Sequence, residues 1–172
     1  MKNTIITATM TALLFSTAAY ADTNISSFAY QLQQAGNTAV HARNGSNITS
    51  GSQIIYSKEN LNVSGKARQE NEAGAIKVTA ANTQNSTVGV QVMKAAGNLN
   101  VNGTIEQVLF SEDASVYATG LTNSVAAVQI MEAKGSLNIS GAAKQMLFSD
   151  DTSVVQEASK NSVVGTQVIS NR

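Results

Sequence analysis

Residues 98–135 read NLNVNGTIEQVLFSEDASVYATGLTNSVAAVQIMEAKG. In this stretch Leu99, Val101 and Ile105 alternate with polar residues around Asn102-Gly103, which predicts short extended segments with a bend at Gly103. Residues 104–110 form a second extended run, and Ser111-Glu112-Asp113 reads as a turn. A third strand is expected over 116–118, a second turn over 120–122, a β-branched run over 124–131 and a final turn over 132–135. Each segment is short, rich in Val, Ile and Thr, and bounded by Gly, Asn, Asp or Ser. A helix needs a longer uninterrupted run, so a helical reading fails.

The same stretch recurs with a period of 38 residues. Asn24, Asn62, Asn100 and Asn138 are 38 apart, and so are Gln31, Gln69, Gln107 and Gln145. Asn47, Asn85, Asn123 and Asn161 keep the spacing, as do Gln53, Gln91, Gln129 and Gln167, and Val40, Val78, Val116 and Val154. A fixed period in this range signals stacked repeats. The recurring residues are mostly amides, which suggests side-chain ladders running up a stack of strands. The fold expected is all-β: a β-solenoid or cross-β stack of four 38-residue rungs, 22–59, 60–97, 98–135 and 136–172.

Aligned breaks support this phasing. Ala35-Gly36-Asn37, Ala73-Gly74-Ala75, Ser111-Glu112-Asp113 and Ser149-Asp150-Asp151 share one repeat position and are expected to be turns. Gly65, Gly103 and Gly141 align with Ser27, and Gly51, Gly89 and Gly165 align with Ala127. There is no Pro, a residue that removes a ladder donor and is confined to sheet edges and bulges.

Residues 1–21 carry the marks of a secretory signal: Lys2, an apolar run over 5–19, and Ala19-Tyr20-Ala21 as a small-x-small cleavage site. Thr7, Thr9, Thr11, Ser16 and Thr17 interrupt the run, which is short for a membrane-spanning helix. Cleavage would leave 172 − 21 = 151 residues, close to 4 × 38 = 152. The absence of Cys excludes disulfide and thiol chemistry, and the net charge of zero gives no argument for nucleic acid as a partner. Low charge, with only 13% charged residues, permits self-association.

These features resemble the curlins, the subunits of a bacterial extracellular functional amyloid. Gln33-Gln34-Ala35-Gly36-Asn37-Thr38-Ala39 is similar to the first half of the curlin repeat, and Asn44-Gly45-Ser46-Asn47 to its Gly-rich turn. The Asn-to-Gln step of six residues, as from Asn85 to Gln91, recurs in every rung. The curlin repeat is shorter, and Arg43 stands where its second Gln is expected. The 38-residue period is closer to that of the Fap fibre subunits, whose Asn-Gln-Gln signature is missing. The resemblance implies a secreted homopolymer whose further partners are a related subunit, a nucleator or a secretion apparatus.

Little in the chain points to chemistry. His41, the one histidine, is replaced at its repeat position by Thr79, Tyr117 and Val155. Nothing singles out an acid and a nucleophile to complete a triad with it. Glu112-Asp113 and Asp150-Asp151 would come together if the last two rungs stack in register, as acidic turns or as a calcium site. Val108, Phe110, Met146 and Phe148 form a candidate contact patch, whereas Lys66, Arg68, Glu70 and Glu72 of the second rung read as a solvated face.

No enzymatic activity, cofactor or metal is expected. The function expected is a secreted subunit that stacks end to end into an extracellular fibre for surface adhesion or a biofilm matrix. The alternatives are a non-polymerising β-solenoid adhesin and a small outer-membrane β-barrel. The adhesin would call for a face of aligned aromatics, and Tyr30, Tyr56 and Tyr117 do not align. The barrel would call for strands of about ten residues with aromatic girdles.

Overall fold

In the computed structural model, which describes residues 22–171, thirteen strands wind into a parallel β-solenoid of four rungs. The expected signal segment lies outside the described residues. The first rung holds β1 (Thr23–Ile25), β2 (Phe28–Ser46), β3 (Thr49–Ser50) and β4 (Gln53–Ser57). The second holds β5 (Leu61–Val63), β6 (Lys66–Gln84) and β7 (Thr87–Ala95), and the third β8 (Leu99–Val101), β9 (Thr104–Thr119) and β10 (Val125–Ala133). The fourth holds β11 (Leu137–Ile139), β12 (Ala142–Glu157) and β13 (Val163–Asn171).

Three parallel sheets run up the stack: β1-β5-β8-β11, β2-β6-β9-β12, and a third in which β3 and β4 together pair with β7, followed by β10 and β13. Every ladder pairs a residue with the one 38 positions on, as Asn24 with Asn62 and Gln107 with Gln145. A coil this shape cannot bury its own apolar face, so each rung depends on its neighbours.

The four expected turns at 35–37, 73–75, 111–113 and 149–151 are not turns. Each lies inside a continuous strand, β2, β6, β9 or β12. The chain rounds a corner there by slipping its alternation by one residue. In β9, Ile105, Gln107 and Leu109 point inward, Glu112 and Asp113 are both exposed, and Ala114, Val116 and Ala118 point inward again. Two successive outward residues turn the strand without ending its pairing. Acidic and small residues suit the corner for that reason, which made it resemble a turn.

The third sheet bends the other way. Extended strand would separate Thr87 from Lys94 by about 23 Å, yet Lys94 Nζ donates to Thr87 Oγ1. The bend falls near residues 90 and 91. Val88 and Val90 join one core, with Val78, Leu109 and Val116, while Met93 and Ala95 join a second, with Leu61, Leu99 and Ile105. The outer side of the bend is concave and holds a third small cluster of Val92, Val125, Ala127, Ile130 and Val168. Gly89 packs closely there: a Cβ would lie 2.6 Å from the Ala127 carbonyl and 2.8 Å from Ile130 Cδ1, so a side chain would force a local shift.

Candidate functional site

The two main cores meet at a waist made of glutamine. From β6, Gln69 Nε2 donates to Gln31 Oε1 at 2.7 Å; Gln107 donates to Gln69 at 2.9 Å and Gln145 to Gln107 at 2.8 Å. From the opposite wall, Gln91 donates to Gln53, Gln129 to Gln91 and Gln167 to Gln129, at 2.9, 2.9 and 2.8 Å. Each column also ties the walls together. Gln107 Nε2 reaches the Gln91 and Ile130 carbonyls, and Gln91 and Gln129 reach those of Val108 and Met146. Gln69, Gln91, Gln107 and Gln129 are fully buried, so these bonds satisfy groups whose burial would otherwise be costly.

The asparagine columns divide. Asn62 donates to Asn24, Asn100 to Asn62 and Asn138 to Asn100, each at 2.8 Å, on the outer face of the short sheet. Asn47, Asn85, Asn123 and Asn161 recur for a different reason. Their φ values are 56°, 50°, 47° and 49°, a left-handed turn that Asn tolerates better than most residues. They line a shallow groove with Glu132 and Lys134. The expected amide ladder is therefore a backbone requirement at this column.

The candidate contact patch lies on the outer face of the long sheet, but unevenly. Phe110 and Phe148 are 41% and 52% exposed and stack with centroids 4.9 Å apart and planes 9° from parallel. Met146 is half-buried, and Val108 is only 3% exposed, so Val108 offers no contact surface. Below them, Glu106 accepts from Lys66 at 2.9 Å and from Arg68 at 3.2 Å, while Arg68 also pairs with Glu70 at 2.9 Å. The hydrogen bond from Lys66 is the main reason that the Glu106 carboxyl titrates below its usual range; partial burial opposes it, and the attraction of both cations adds to it.

Asp113 stacks beneath Asp151, and all four corner acids are exposed. Among the described residues, no group of three or more His, Cys, Asp or Glu is gathered to hold a metal. His41 is exposed on the outer face of β2.

Sequence reading missed one buried cluster. On the concave face Lys94 Nζ lies 3.6 Å from Glu132 Oε2, and Thr87 Oγ1 donates to the same carboxylate oxygen. Lys94 and Glu132 are 38 residues apart, so the repeat alignment already placed opposite charges in adjacent rungs. What it lacked was the bend that buries them.

The fourth rung is the last described, and its core residues lie open. Ile139, Val154, Val163 and Ile169 are 40%, 43%, 42% and 49% exposed, whereas their mates Val101, Val116, Val125 and Met131 are at most 1% exposed. In comparisons with known proteins, the chain matches no family model, no curated protein and no solved structure.

Proposed function

We propose that the protein is a secreted structural subunit whose copies stack end to end into an extracellular amyloid-like fibre, serving adhesion or a biofilm matrix. The reading is supported above all by the open upper face of the fourth rung. Parallel strands there have no partner above them among the described residues, and four core side chains stand in the open. Soluble β proteins blunt such edges with charge, proline or a covering element. The three amide ladders run through all four rungs, and Asn24 and Gln31 offer donor nitrogens, and Asn138, Gln145 and Gln167 acceptor oxygens, to an added rung. The curlin and Fap resemblances point the same way.

A non-polymerising adhesin has one observation in its favour, the exposed Phe110–Phe148 stack. Electron microscopy of the exported chain, residues 22–172, with amyloid-dye binding followed over time, separates the two. Unbranched fibres are expected. A chain that remains monomeric at high concentration for days overturns the fibre reading in favour of the adhesin.

A further inference from the structure

At the first bend of each rung, glycine follows a strict rule. A Cβ on Gly65 would lie 2.0 Å from the Ser27 carbonyl oxygen, one on Gly103 2.0 Å from that of Gly65, and one on Gly141 2.0 Å from that of Gly103. None of these glycines needs a left-handed backbone; the close approach alone excludes a side chain. The approach is fixed by hydrogen bonds. Gly65 N donates to Ile25 O at 2.9 Å and Lys66 N to Ser27 O at 2.7 Å, and Gly103, Thr104, Gly141 and Ala142 repeat the pattern one rung higher each time. Glycine therefore marks each rung that has a rung beneath it. The first rung carries Ser27, and among the described residues no rung lies beneath it.

We propose that Ser27 is a steric brake on the joint between copies, an inference that rests on the end-to-end reading above. If the fourth rung of a second copy is laid beneath the first rung in the chain's own 38-residue register, its Gly141 carbonyl meets the Ser27 Cβ. Contacts under 3.0 Å are essentially never made by real Cβ atoms, so the bend must give by about 1 Å. β1 has only three residues and pairs with β5 alone, so it can yield. The obstruction therefore slows the joint without forbidding it.

Apart from Lys58 and Arg172, like charges that share one repeat position at the two ends, the ladders and the remaining charges of that joint are complementary. The register sets Asn138 beneath Asn24, Gln145 beneath Gln31, Gln167 beneath Gln53 and Val154 beneath Val40. Within the chain, the nitrogen of each upper ladder amide donates to the oxygen of the one below. The fourth rung thus brings acceptor oxygens, and Asn24 and Gln31 bring donor nitrogens, in the matching sense. Arg43 and Glu157 occupy one repeat position at opposite ends, 3 × 38 = 114 residues apart. Arg43 is exposed and makes no ion pair among the described residues, and Glu157 accepts from the Tyr117 hydroxyl through one oxygen, leaving the other open. The occupant of each end face that these charges and ladders fit is the opposite end of a second copy.

The test is the assembly rate of the exported chain and its variants, followed by dye binding and electron microscopy, with each fold checked by circular dichroism. Ser27→Gly removes the Cβ and is expected to assemble on the order of tenfold faster, the change produced by lowering the barrier by about 1.4 kcal/mol. Ser27→Ala keeps the Cβ and should stay as slow as the wild type. Arg43→Glu should slow assembly further, and adding Glu157→Arg should restore it. Equal rates for the Gly and Ala variants of residue 27, in a wild type that does form fibres, overturn the brake and leave the fibre reading standing. Wild type and Ser27→Gly both remaining monomeric overturns the two together.

Discussion

Gln91 and Gln53 are joined amide to amide, Nε2 to Oε1 at 2.9 Å, and the same Gln91 nitrogen reaches the Val108 carbonyl at 2.8 Å on the facing wall. One side chain thus fixes the vertical register of the stack and its width. Gln129 in turn donates to Gln91 Oε1. Replacing Gln91 by Ala leaves Gln53 Oε1, Val108 O and one Gln129 hydrogen without their partner. Each such group costs about 1–3 kcal/mol. Because neighbours relax, the expected loss for Gln91→Ala is about 3–5 kcal/mol, measured by urea unfolding. Gln167→Ala, at the exposed end of the same column, is expected to lose less than about 1 kcal/mol. Equal losses at the two positions would show that the column does not carry the waist.

Ala158 has φ 46°, in the left-handed region, at the repeat position held by Asn44, Asn82 and Gly120, with φ 52°, 52° and 61°. An alanine there is strained by its Cβ. Ala158→Gly is expected to raise stability by about 1 kcal/mol. An unchanged or lower unfolding midpoint would mean that this turn relaxes when free of strain elsewhere.

Asn71 is fully buried in the first core, with neither side-chain atom hydrogen-bonded. Its repeat mates are Gln33 in the first rung and Leu109 and Leu147 in the third and fourth, and its rung carries Ile76 where the third rung has Ala114. The double change Asn71→Leu with Ile76→Ala copies the third rung's pair and removes the unsatisfied amide. A gain of about 1–2 kcal/mol is expected in denaturant unfolding. A loss would show that the second rung is packed around the amide.

Glu106 gives the fold a pH-dependent element. Its folded-state pKa is depressed, chiefly by the hydrogen bond from Lys66, so its contribution is full above the unfolded carboxylate pKa of about 4.3 and is lost as pH falls through the lower folded value. The pair is partly exposed and contributes less than about 1 kcal/mol. The wild type should exceed Glu106→Gln in stability from neutral pH down to about pH 5, with the gap closing in more acid solution. A gap that persists unchanged at low pH would assign the difference to packing.

How far the fold was legible follows from these residues. The period of Gln31, Gln69, Gln107 and Gln145 shows in the bare sequence because stacked amides must be identical to pair. The same period misled at Asn47, Asn85, Asn123 and Asn161, since a left-handed turn also selects Asn in every rung. The corner at Glu112-Asp113 was hidden because two outward polar residues look alike whether a strand turns or ends. The burial of Lys94 and Glu132 was invisible for want of the bend that folds β7 on itself. Ser27 was visible as a departure from glycine, but its meaning depends on a contact with the rung below.

The account's central claim is that a fibre of this protein continues the solenoid, one copy above another. Four rungs spaced about 4.8 Å apart give an axial advance of about 19 Å per chain. Mass per length of fibres of residues 22–172, measured by scanning transmission electron microscopy alongside fibre diffraction, tests it directly. One chain per about 19 Å with a meridional reflection near 4.8 Å is the expected result. One chain per 4.8 Å would mean that each copy flattens into a single layer, and would contradict the end-to-end stacking of folded solenoids.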